Sequence, residues 1–125
     1  MKLTNENIDD IMCSCIEGGV TRYWCSLMMP VGGKWLGQYY CEQISKGGAI
    51  EFTTSEPFED DEDGNEKETY ILDREKFDKG FELYLKEYGE KSVSDENGEF
   101  DGCMVDAVVA DAIVQLALFG EEVYG

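Results

Sequence analysis

The sequence predicts one α+β domain, with three to four helices packed on a small antiparallel β-hairpin or sheet. Apolar residues recur at helical spacing in several segments, and two short runs rich in β-branched and aromatic residues flank an acidic, turn-forming stretch. The chain has 125 residues, 42% hydrophobic and 12% aromatic, enough for a single core and too few for two, with no repeat or interdomain linker.

The first helix starts after Thr4, a good N-cap, with Glu6, Asp9 and Asp10 near the positive end of its dipole. Ile8, Ile11, Met12, Cys15 and Ile16 form its apolar stripe, and Gly18-Gly19 ends it. Tyr23 to Met29 reads as a strand closed by Pro30 and Gly32-Gly33. Leu36, Tyr40 and Ile44 recur every four residues, which predicts a helix from Trp35 to Lys46 despite Gly37. Ala49–Thr54 and Thr69–Leu72 pair as a hairpin around Gly64-Asn65, with residues 56–68 expected to be a mobile acidic loop. Asp73 caps a helix whose stripe is Phe77, Phe81, Tyr84, Leu85 and Tyr88, ended by Gly89. After a polar loop from Glu90 to Gly102, Asp106 caps a last helix running to Phe119. Val108, Val109, Ala112, Ile113, Leu116, Ala117 and Phe119 make it apolar nearly all round, as a central core helix would be. Glu121–Tyr124 is short enough to be a final strand.

Charge narrows the function classes. Against 28 Asp and Glu stand 10 Lys and Arg, a net charge of −18, which repels nucleic acid and anionic membranes alike. With no run of 18 apolar residues, no membrane span is expected. The first residues carry no apolar leader, so a cytoplasmic protein is expected. Histidine is absent, which removes imidazole bases, the usual triads and His-ligated metals. The five cysteines, Cys13, Cys15, Cys25, Cys41 and Cys103, include no Cys-x-x-Cys pair and read as reduced thiols, not as a zinc site or a disulfide framework. Glu59, Asp61, Asp63 and Gly64 loosely match the start of an EF-hand loop, but Tyr70 stands where its bidentate Glu belongs. Gly33-Lys34 is no P-loop, since Trp35 replaces the Ser or Thr. Neither a cofactor nor catalysis is expected.

Two regions hold the uncompensated charge. Glu59, Asp60, Asp61, Glu62 and Asp63 are consecutive, and Asp95, Glu96, Glu99 and Asp101 follow in a segment with little basic content. By contrast, Glu75/Lys79 and Glu82/Lys86 stand in the favourable order for helical pairs. Dense carboxylates suit a basic protein surface of the kind that binds nucleic acid, and Tyr23, Trp24 and Trp35 are candidate apolar anchors for such a contact. The same aromatics, with Tyr39, Tyr40 and the glycines around them, also suit a small pocket for a nucleotide-like ligand, with Arg22, Lys34 and Lys46 near enough in sequence to hold phosphate.

Asp9-Asp10-Ile11-Met12, Glu17-Gly18-Gly19, Tyr23-Trp24-Cys25, Glu42-Gln43-Ile44-Ser45-Lys46-Gly47-Gly48, Asp111-Ala112-Ile113-Val114-Gln115 and Ala117-Leu118-Phe119-Gly120 together resemble short acidic hypothetical proteins of phages and prophages of Gram-positive gut bacteria. The resemblance spans nearly the whole chain and carries no functional residues over. It implies an anti-defence context, such as anti-CRISPR inhibition or sequestration of a nucleotide signal. The expectation is therefore a non-enzymatic inhibitor that binds a basic surface of a host nucleoprotein effector, possibilities including a CRISPR nuclease complex. The alternatives are a nucleotide-sequestering protein and a phage accessory protein that inhibits nothing.

Overall fold

The computed structural model describes residues 1–125. Thr4 opens helix α1 (Asn5–Glu17) through a reciprocal capping box: its hydroxyl accepts from the Asn7 N–H at 3.1 Å, and the Asn7 side chain accepts from the Thr4 N–H at 3.0 Å. Ile8, Ile11, Met12, Cys15 and Ile16, the whole predicted stripe, are buried. A 3₁₀ turn at Thr21–Tyr23 leads into strand β1 (Cys25–Pro30), so the strand begins two residues later than its sequence suggests.

The helix predicted for Trp35–Lys46 does not form. Only a 3₁₀ turn at Tyr40–Glu42 appears there, and of the supposed stripe only Ile44 is buried. Side chains take over the backbone hydrogen bonds a helix would need. The Glu42 carboxylate accepts from the N–H groups of Gln38 (2.6 Å) and Tyr39 (2.9 Å), and Gln43 Oε1 accepts from the Leu36 N–H at 2.8 Å. Gly37, at φ +74°, turns the chain where a helix would need φ near −60°.

Strands β2 (Ile50–Thr54) and β3 (Thr69–Leu72) form the predicted hairpin, and β1 adds to it to give an antiparallel sheet ordered β1-β2-β3. Asp73 caps helix α2 (Arg74–Tyr88) and Asp106 caps helix α3 (Ala107–Phe119), each accepting from an N–H three residues on. In α2, Phe77, Phe81 and Tyr84 are buried as expected. Tyr88 is 47% exposed, because the stripe has rotated off the core by the last turn, and its hydroxyl donates to Glu122 at 2.5 Å. Of the two expected helical ion pairs, Lys79–Glu75 forms at 3.5 Å and Glu82–Lys86 does not; Arg74–Asp78 forms at 3.2 Å in its place. Segment Glu121–Tyr124 is not a strand, since Gln115 Oε1 accepts from the Val123 and Tyr124 N–H groups and no strand neighbour is offered.

All three helices and the inward face of the sheet share one core, with α3 at its centre: Ala110 to Leu116 are buried without a break. Close approach of α2 to α3 depends on Gly80, where an added Cβ would stand 2.5 Å from Ala117 Cβ and 2.6 Å from Ala117 Cα. No helix is long and apolar enough to cross a membrane.

Gly80→Ala drives a methyl group into the Ala117 backbone, which cannot rotate away. A loss of about 1–3 kcal/mol is expected in urea unfolding, against a change near zero for Glu82→Ala on the exposed side of the same helix.

Candidate functional site

The first acidic run is not an open loop. Asp61 folds it back: its Oδ1 accepts from the Asp63 N–H (2.9 Å) and the Asn65 N–H (3.0 Å), while its own N–H donates to Asn65 O at 2.7 Å. Gly64, at φ +82°, takes the left-handed position of this turn. Asp60 bridges Glu66, and the Lys67 N–H donates to Glu59 O at 2.9 Å. The second acidic run repeats the device. Asp95 Oδ1 accepts from the Asn97 N–H (2.8 Å) and the Glu99 N–H (3.0 Å), Gly98 sits at φ +78°, and Ser94 bridges Phe100. Asp-Glu-Asp-Gly at 61–64 and Asp-Glu-Asn-Gly at 95–98 are thus the same side-chain-capped turn.

The first turn rests on an aromatic base. Phe58 stacks on Tyr70 at 6.0 Å and meets Phe119 edge-on at 5.2 Å, and Tyr70 meets Phe119 edge-on at 4.7 Å. The Tyr70 hydroxyl donates to Glu59 Oε1 at 2.8 Å; burial first, and then this carboxylate, push its pKa far up. Lys67 lies 3.9 Å from Glu59 and 4.5 Å from the Tyr70 ring centroid. Glu59 is therefore partly compensated, whereas the exposed Asp60, Asp61, Glu62 and Asp63 belong to no ion pair. With Glu59 and Lys67 these carboxylates line an open concavity of about 450 Å³.

The second turn is anchored elsewhere. Phe100 packs edge-on against Phe81 of α2 at 6.2 Å, and Gly102 faces Asp10 of α1. Glu96 and Glu99 are exposed, while Asp95 and Asp101 are half-buried and hold local backbone, Asp101 Oδ1 accepting from the Cys103 N–H at 2.9 Å. No hydrogen bond or ion pair joins the two acidic regions.

The three candidate anchors differ. Tyr23 is 90% exposed and Trp35 is half-buried against Tyr40 at 5.0 Å. Trp24 is 3% exposed, so a role as an exposed anchor does not fit it. Its indole is committed to the core, stacked on Tyr124 (5.3 Å) and Phe52 (6.2 Å).

A buried carboxylate holds Trp24 in place. Asp111, in the middle of α3, is 6% exposed and has no cation beside it. Its Oδ1 accepts from Thr21 Oγ1 (2.7 Å) and Trp24 Nε1 (2.8 Å), and its Oδ2 accepts from Gln115 Nε2 (2.8 Å). A buried carboxylate is tolerated when donors surround it. The signal was present as one acid, with Gln four residues on, inside an otherwise apolar helix.

The aromatic and glycine region does not converge on one pocket. Tyr23 and Trp24 border a concavity of about 360 Å³ with Tyr124 and Asp111; Tyr39 and Tyr40 border a separate one of about 600 Å³ with Cys13 and Cys41. Neither is lined by Lys or Arg, and Lys46 instead sits beside the Glu42 carboxylate, whose pKa the Tyr39 and Gln38 amides chiefly lower. A phosphate would find no cation there. No three or more thiols and carboxylates are arranged to hold a metal ion. All five cysteines are free thiols; Cys15 and Cys25 are buried, and only Cys103 is exposed.

No family model matches this chain, and neither a curated protein nor a solved structure shows significant similarity to it.

Asp111→Ala removes the acceptor shared by Thr21, Trp24 and Gln115 and leaves the buried Trp24 Nε1–H without a partner, and a loss of roughly 3 kcal/mol is expected in thermal or urea unfolding. Asp111→Asn keeps an acceptor for Thr21 and Trp24 and is expected to lose about 1–2 kcal/mol. Thiol reactivity follows burial and charge. Desolvation, with Glu17 beside it, raises the Cys13 pKa to about 11, and desolvation raises that of Cys15 to about 12. At pH 8 only about one Cys13 in a thousand is thiolate. Iodoacetamide is therefore expected to modify Cys103 first and Cys13 slowly, speeding up as pH rises toward 11, with Cys15 and Cys25 silent until the protein unfolds. Mass spectrometry of timed samples reads the order directly.

Proposed function

We propose that this protein works by binding and not by catalysis: an anti-defence protein of phage origin that docks on a basic, nucleic-acid-binding surface of a host effector, such as a CRISPR nuclease complex in the host cytoplasm. One observation carries the reading. Asp60, Asp61, Glu62 and Asp63 project together from β2 and β3 on a turn held by Asp61, without ion-pair partners. Charge presented on a preformed turn avoids part of the ordering cost that a flexible acidic loop meets on binding. Such a cluster raises the encounter rate with a cationic surface and disfavours acidic partners, DNA and RNA among them. The acids Glu96 and Glu99 extend the negative field from a separate anchor point. Tyr23, the most exposed aromatic of the chain, is open to an apolar contact.

The test uses Asp60→Asn/Glu62→Gln/Asp63→Asn, which removes charge and leaves the Asp61 cap. Association with a purified, RNA-free CRISPR nuclease, followed by biolayer interferometry, should slow by about tenfold, with an unchanged unfolding temperature. Wild-type association should also fall steeply with added salt. Equal association rates for the two proteins would remove the acidic turn from the mechanism.

A further inference from the structure

The sheet buries only one of its faces. Met28, Ile50, Phe52, Tyr70 and Leu72 point into the protein, so by strand alternation Leu27, Met29, Glu51 and Ile71 point out. Val31 continues the row, its N–H donating to Ala49 O at 2.9 Å in register with β2. Leu27 (48%), Met29 (43%), Val31 (49%) and Ile71 (43%) are uncovered. Apolar side chains gathered on one sheet face point to a contact surface in a way that single exposed ones do not. Across the middle of this face Met29, Glu51 and Ile71 are direct cross-strand neighbours. Glu51 is half-buried between them and takes part in no ion pair.

We propose that this face seats a cationic amphipathic segment of the basic partner, with Glu51 receiving a lysine or arginine head whose alkyl stem lies between Met29 and Ile71. The inference rests on the reading that the acidic turn recruits a basic partner, and it names the face that holds the partner afterwards. Lysine and arginine match a carboxylate framed by apolar groups, because their stems are apolar and only their heads are charged. Covering the face excludes water, and the charge pair is then worth more than it would be on an open surface. The acidic turn joins β2 to β3, so it stands at one end of the hairpin that carries Glu51 and Ile71. A second copy of the chain fits poorly, since it would bring a second Glu51 to a face that offers no cation, on another molecule of charge −18. Addition of a strand at an edge fits poorly too. The β1 edge has an irregular register between Cys25 and Leu27 and ends in Pro30, and on β3 the Ile71 carbonyl is already taken by Lys76 Nζ at 3.0 Å.

Two labelled peptides of equal positive charge test this by fluorescence anisotropy: a Leu/Lys peptide that forms a cationic amphipathic helix, and a Ser/Lys peptide without an apolar face. The wild-type protein should bind the Leu/Lys peptide about tenfold more tightly. Met29→Ser/Ile71→Ser should abolish that preference while leaving Ser/Lys binding alone, and Glu51→Gln should weaken the Leu/Lys peptide several-fold. These side chains point outward, and an unchanged unfolding temperature confirms that the variants fold. Amide shifts at Leu27, Met29, Glu51 and Ile71 on adding the Leu/Lys peptide give a second readout. If the sheet-face variants keep the preference while Asp60→Asn/Glu62→Gln/Asp63→Asn weakens both peptides, the docking face is wrong and the acidic turn survives. If wild-type binds neither peptide, both readings fail. Sedimentation showing a dimer that Met29→Ser/Ile71→Ser disperses would assign the face to a second copy and overturn the proposal.

Discussion

A single buried carboxylate organises this protein. Asp111 sits in the central helix with no counter-cation, and Thr21, Trp24 and Gln115 donate to it. Each bond reaches a different part of the chain. Thr21 also meets Cys15 of α1 at 3.3 Å, so the first helix is tied in. Trp24 stands immediately before β1 and locates the start of the sheet. Gln115 accepts from the Val123 and Tyr124 N–H groups and donates to the Tyr124 carbonyl, fastening the end of the chain. An apolar residue at 111 could fill the same space without specifying any of these attachments. The charge would be prohibitively expensive in apolar surroundings without its donors, so the arrangement holds as a unit or not at all.

That unit bears on the first acidic turn through aromatic contacts. With its indole fixed by Asp111, Trp24 stacks on Tyr124 and meets Phe119 edge-on at 5.4 Å. Phe119 in turn supports Phe58 and Tyr70, the base of the first acidic turn. A charged surface feature is thus oriented by packing that begins in the core. The turn itself is a local matter: an Asp accepts two backbone amides and a Gly takes the left-handed position, and the chain uses this solution twice, at 61–64 and 95–98.

Much of the fold was legible because its signals are local. Thr4, Asp73 and Asp106 cap the helices where their sequences place them, and the stripe from Ile8 to Ile16 is buried throughout. The false helix at 35–46 shows where such reading fails. Leu36, Tyr40 and Ile44 have helical spacing, but Glu42 and Gln43 offer the backbone competing acceptors, and periodicity does not register that competition. The candidate site divides in the same way. The density of acids between Glu59 and Asp63 was plain. The burial of Trp24 was not, because an aromatic beside Tyr23 in sequence looks no different whether it faces solvent or Asp111. Glu51 is one acid among 28 in sequence, and only the strand register sets it between Met29 and Ile71.

The sequence by itself determined the charge, the want of imidazole chemistry, the helix caps and the class of fold, since each depends on residue type or on neighbours within a few positions. Only the tertiary structure decided which acids are free, which aromatic is exposed and which face of the sheet lies open. Those properties depend on contacts between residues as distant as Trp24 and Asp111, or Met29 and Ile71, and the chain brings such pairs together only by burying its core.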